Sequence, residues 1–103
     1  MHITLREEER MQIWCAAEMS RRRLEKGLKL NYPEATALIS DEILERAREG
    51  SIPMLTDMME YGATILKKKH VMEGVADMMK ILQVEALFPD GTKLVTVMNP
   101  IRE

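Results

Sequence analysis

The sequence predicts an α+β fold: a small helical domain, with three main helices and a short one, followed by a C-terminal antiparallel β-hairpin. Three observations carry this. Apolar residues recur at helical spacing through the first two thirds of the chain. The first two helical segments each open on a capping residue, Thr4 or Asn31, and close on a glycine, Gly27 or Gly50. Beyond Lys80 the apolar period changes to two on either side of Pro89-Asp90-Gly91-Thr92, a turn signal. At 103 residues, with no repeat or long linker, the chain makes a single domain over positions 1–103.

The first helix is expected from Leu5 to about Gly27. Thr4 and Glu7 form a capping box, and the basic residues of Arg21 to Lys26 suit the negative end of the helix dipole. Ile13, Ala16, Ala17, Ser20 and Leu24 share one face, as a core stripe requires. Met11, Trp14, Cys15 and Met19 occupy the rest of the circumference, so the middle of this helix is apolar on nearly all sides. It needs cover on a second side, and another subunit is the expected source.

The second helix is expected over Tyr32 to Glu49. Asn31 caps it, Pro33 fits its first turn, and Ala35, Leu38, Ile39, Ile43 and Ala47 form its buried stripe. A third helix is expected from near Pro53, with Leu55, Met58, Met59, Gly62, Ile65 and Leu66 on one continuous stripe fading into Lys67–His70. Gly62 within that stripe either weakens the helix or permits a close backbone approach. Gly74 breaks the next segment, leaving a short helix over Val75 to Lys80.

In the hairpin, Leu82, Val84, Ala86 and Phe88 share a face; on the returning strand Leu94, Thr96 and Met98 alternate with Lys93, Val95 and Val97. The turn chemistry suggests a longer loop, with proline first and glycine in the left-handed position. An isolated two-stranded hairpin is marginal in water, so this one must pack on the helices or extend another sheet.

Charged residues make up 31% of the chain, apolar residues 46%, and the net charge is −2, which suits an ordinary globular protein and selects no partner by charge. No run approaches the ~20 apolar residues of a membrane span, and the start is acidic and helical rather than a signal peptide, so a cytoplasmic protein without membrane contact is expected. Cys15 is the single cysteine and reads as inert packing within a helix. His2 and His70 are the only histidines, too few for a transition-metal centre, and Met58 and Met59 fit a core stripe better than a soft-metal site. The basic runs Arg21–Arg23 and Lys67–Lys69 read as solvated helix ends; the rival reading is a small nucleic-acid-binding module that uses them on phosphate. Glu7, Glu8 and Glu9 point to different sides of a helix and do not converge on a substrate. The expectation is a chain with no catalytic, cofactor-binding or metal residues, and with more apolar surface than one small domain covers: an accessory subunit.

Four stretches, Gly27–Ala35 (GLKLNYPEA), Ala47–Gly50 (AREG), Val71–Val75 (VMEGV) and Gln83–Ile101 (QVEALFPDGTKLVTVMNPI), resemble the gamma subunit of microbial urease, in one register across essentially the whole chain. The resemblance implies a non-catalytic component of a urea amidohydrolase that yields ammonia and carbamate, with a two-nickel site and the catalytic histidine on the partner alpha subunit. It further implies alpha and beta partners, gamma–gamma contacts in a threefold assembly, and, from the stop after Asn99-Pro100-Ile101-Arg102-Glu103, separate rather than fused chains. Leu5, the Lys69–His70 pair and Met98 depart from that family's pattern, which leaves open a diverged gamma-like chain serving another assembly. The hairpin then becomes a docking element. The interface candidates are Met11, Trp14 and Met19 on the first helix and Gln83, Val84, Glu85, Val95, Val97 and Met98 on the hairpin, with the Val95 and Val97 face packed partly on other subunits.

Overall fold

A computed structural model describes residues 3–103. The elements are α1 (Leu5–Glu25), α2 (Tyr32–Glu49), α3 (Leu55–Gly62), a 3-10 turn (Lys68–His70), α4 (Val75–Met78), β1 (Ile81–Phe88) and β2 (Gly91–Met98). The expected α+β architecture is present, with β1 and β2 antiparallel.

Local chemistry accounts for the helix ends. The Thr4 hydroxyl accepts from the Glu7 amide at 3.2 Å while the Glu7 carboxylate accepts from the Thr4 amide at 3.1 Å. Asn31 and Glu34 make the same reciprocal pair at 3.0 and 2.8 Å, a second capping box. α2 closes on Gly50 at φ 75°, a conformation that favours glycine. A side chain at Gly50 would also meet the Pro89 ring, with a Cβ only 3.0 Å from Pro89 Cγ.

Three boundaries differ from the sequence expectation. The third helix is short: it stops at Gly62 instead of running through Leu66. The Ala63 amide donates to the Glu60 carbonyl at 3.1 Å and Thr64 to Tyr61 at 2.9 Å, bonds that tighten and end the last turn. The Thr64 hydroxyl takes the Tyr61 carbonyl as well, at 2.7 Å. Leu66 still reaches the core, from the irregular segment after the helix. α4 ends at Met78, two residues before Lys80, because the strand claims the following backbone. The hairpin connection is tight: Phe88 pairs with Gly91, leaving only Pro89 and Asp90 between the strands.

Packing places α2 at the centre. α1 lies along one side of it, while β1 packs on α2 and β2 on α3 from the other. Ile39, Ile43, Met58, Leu66, Phe88, Val95 and Val97 are buried at this second junction. Gly62 supplies the close approach: a Cβ there would fall 2.6 Å from Val97 Cγ2 and 3.2 Å from Ile43 Cδ1. Three remote segments are stitched by backbone bonds, Leu30 N–H to the His70 carbonyl at 2.9 Å, Met72 N–H to the Leu30 carbonyl at 2.8 Å, and Lys68 N–H to the Arg102 carbonyl at 2.9 Å.

Candidate subunit-contact surfaces

The hairpin has two faces of opposite fate. Val84, Ala86, Phe88, Val95 and Val97 point inward, and Val95 and Val97 are both 0% exposed. This corrects the expectation that the Val95 and Val97 face is packed partly on other subunits: α2 and α3 of the same chain cover it. Val84 is likewise buried. Gln83, Glu85 and Met98 lie on the opposite, open face. That face also carries Ile81, Leu87 and Leu94, each more than half exposed. Ile81 stands opposite Met98, Glu85 opposite Leu94, and the Gln83 amide donates to the Thr96 hydroxyl at 3.4 Å. Sequence reading left out Ile81 and took in Leu87 and Leu94 only as part of the hairpin from Gln83 to Met98, without naming them. The signal was there in the parity, since all three fall in step with the outward Gln83 and Glu85 across the strand register.

α1 has the same duality. Ala17 and Ser20 are fully buried, and these small residues let α1 approach α2 closely. The Ser20 hydroxyl donates to the Ala16 carbonyl at 2.8 Å, with the Glu34 carbonyl of α2 at 3.1 Å. On the other side Met11, Trp14 and Met19 are about half exposed, at 47, 49 and 51%. Cys15 is exposed as well, which corrects its reading as buried packing: its neighbours in sequence are apolar, but its face has nothing laid over it.

Between α1 and α2 runs a charge network that sequence reading missed. Asp41 is 1% exposed and accepts from Arg10 at 2.7 Å and from Arg21. Arg10 also binds Glu45 at 2.7 Å, and Arg21 binds Glu42 at 2.7 Å and Glu18 at 3.2 Å. Glu42 accepts in turn from Arg46 at 3.1 Å and from the Tyr61 hydroxyl at 3.2 Å. Burial opposes the Arg21 charge, but hydrogen bonds and charges from Asp41 and Glu42 outweigh it and hold the guanidinium above its ordinary pKa. Glu34 is desolvated too, yet the Asn31 amide and the Arg23 guanidinium keep its carboxyl below the usual range. The Arg21–Arg23 run is therefore more than a solvated helix end, since Arg21 and Arg23, though partly exposed, both grip α2, while Arg22 faces solvent. In the second run Lys68 pairs with Glu103 at 3.2 Å, and His70 Nδ1 accepts from the Lys67 amide at 2.9 Å, closing the 3-10 turn.

One open depression of about 410 Å³ mixes Lys68, Lys80 and Arg102 with Asp77 and Glu103. Among the described residues no three His, Cys, Asp or Glu side chains are grouped to hold a metal ion, and His2 lies outside those residues. No helix among the described residues is long and apolar enough to cross a membrane. A family model described as the gamma subunit of urease matches residues 1–101.

Proposed function

The chain belongs to the urease gamma-subunit family, and on that premise we propose that it is the non-catalytic gamma subunit of an assembled urease. The family ties it to a hydrolase of urea catabolism, in association with other urease subunits. Its own part is to hold the assembly together, joining alpha and beta subunits and meeting its own kind around a threefold axis in the cytoplasm. Urea is split to ammonia and carbamate on the alpha subunit, where the nickel ions sit. None of this chain's residues touches them.

One observation carries the reading: the chain spends its polar side chains on its own cohesion and leaves its outward apolar side chains unused. Asp41, Arg10 and Arg21 are consumed in joining α1 to α2. Met11, Trp14 and Met19 on α1, and Ile81, Leu87, Leu94 and Met98 on the hairpin, form two open apolar faces with polar edges at Gln83 and Glu85. Clustered exposed apolar surface of this kind marks protein contact.

Co-expression of the tagged chain with the alpha and beta chains of its complex, followed by affinity recovery and a urea-hydrolysis assay, tests it. A large complex whose nickel-dependent activity is lost when this chain is omitted is the expected result. Recovery of the chain without partners would overturn the proposal.

A further inference from the structure

The outward stripe of α1 has a symmetry that selects its partner. Its exposed side chains include Glu8, Met11, Cys15, Met19 and Arg22. Met11 and Met19 stand four positions either side of Cys15, and Glu8 and Arg22 seven positions either side. Four residues turn a helix by about +40° and seven by about −20°, so the five side chains share roughly 80° of circumference. The apolar positions repeat symmetrically, and the end charges are of opposite sign. An antiparallel copy of the same helix, with Cys15 on the twofold axis, therefore sets each Met11 against Met19 of the second copy and each Glu8 against Arg22 of the second copy. Trp14 borders this seam on the side that carries Met11 of both copies, where a sulfur–aromatic contact is favourable.

The charges this contact needs are, with Arg6, Glu9 and Glu25, among those on α1 that the fold leaves out of the ion pairs of the described residues. Arg10, Arg21 and Arg23 are bound to α2, whereas neither Glu8 nor Arg22 joins an ion pair among the described residues. We propose that two copies of this chain pair through α1, antiparallel about Cys15. The contact rests on the geometry of α1 and not on the urease reading. A single helix face buries less than the ~800 Å² per partner of a standard interface, so the pair is weak and forms at high local concentration.

Sedimentation equilibrium of the full isolated chain, from about 10 µM to about 1 mM, tests this in the range a small interface demands. A monomer–dimer equilibrium is expected. Glu8→Lys and Arg22→Glu should each weaken the dimer by about tenfold, since each places like charges at both ends of the seam. Both positions are exposed and outside any ion pair among the described residues, so each swap loses only a favourable charge at one end of the α1 dipole and the fold is kept. An equimolar mixture of the two variants restores opposite charges at both ends and should recover the parent's dimer constant. A monomer at every concentration assigns the face to a different chain and overturns the proposal; so does a dimer that ignores both swaps or a mixture that fails to recover. The co-expression result of the preceding section is independent of each of these outcomes.

Discussion

The two junctions on either side of α2 use opposite chemistry. Toward α1 the contact is made by small residues, Ala17 and Ser20, with a cross-linked set of arginines and carboxylates centred on the buried Asp41. Toward α3 and the hairpin it is mainly apolar: Ile43 and Val97 close over Gly62, and the Tyr61 hydroxyl bond to Glu42 is the polar contribution. An apolar junction draws on burial and shape, so it is insensitive to salt and punishes changes of volume. A charged junction draws on geometry and completeness, since each ion stripped of water must keep its partners. The difference teaches why a helix as weakly amphipathic as α1, apolar on its outer side too, still takes one orientation: the arginines decide which side faces α2.

The strongest way to break the charged junction is to strand its buried carboxylate. Arg10→Met with Arg21→Met leaves Asp41 without a counter-ion and should cost about 3–5 kcal/mol in urea unfolding. Adding Asp41→Leu to that pair should recover most of the loss, because an apolar replacement removes the unpaired charge along with its partners. If the third substitution recovers nothing, the network sets the packing and not only the charge balance.

At the apolar junction Gly62→Ala should cost about 1–3 kcal/mol, as its methyl group meets the stiff Val97 side chain. Val97→Ala vacates that space, so the double variant should lose less than the sum of the two single losses, a coupling read by a double-mutant cycle. Simple additivity would show that α3 shifts away instead.

A smaller effect separates the junctions by pH. The Glu34 carboxyl is held below the ordinary value of 4.5 in the folded chain. The stability it contributes is therefore complete above that value and lost as the pH falls through its lower folded value. Glu34→Gln should reduce stability at neutral pH by about 0.5–1 kcal/mol through the lost Arg23 pair. It should also flatten the acid limb of the stability profile, measured by thermal unfolding between pH 3 and 7, a window that spans the ordinary range of a glutamate. An unchanged acid limb would locate the acid sensitivity in other carboxylates.

The smallest change in stability belongs to the hairpin's open face. Leu94→Thr should alter unfolding by no more than about 0.5 kcal/mol, as its side chain is over half exposed. If that face meets other urease subunits, the same substitution should sharply reduce recovery of the complex in co-expression. An equal loss of stability and recovery would mean that the outer face serves the monomer.

Much of this fold was legible in the sequence. Thr4 with Glu7, Asn31, Pro33 and Gly50 are local signals whose partners lie within four residues, so α2 was bounded at Tyr32 and Glu49 as observed. Strand alternation was equally plain, and it grouped Leu82, Val84, Ala86 and Phe88 correctly. The end of α3 was not legible: Ile65 and Leu66 continue its helical spacing, and the spacing alone does not register that Gly62 must lie against Val97, distant in sequence. Nor were the contact surfaces. Both faces of the hairpin carry large apolar residues, and naming Val95 and Val97 as contacts chose the face that α2 and α3 cover.

By itself, then, the sequence determined the elements, their caps, the period of each stripe and the family resemblance, because these depend on neighbours a few bonds away along the chain. The tertiary structure alone decided which arginine meets which carboxylate, where α3 stops, and which apolar stripe remains outside. Those outcomes depend on packing between residues tens of positions apart. Arg10 finds Asp41 because Ala17 and Ser20 let two helices come close, and Val97 disappears beneath Gly62 because a missing side chain leaves room for it.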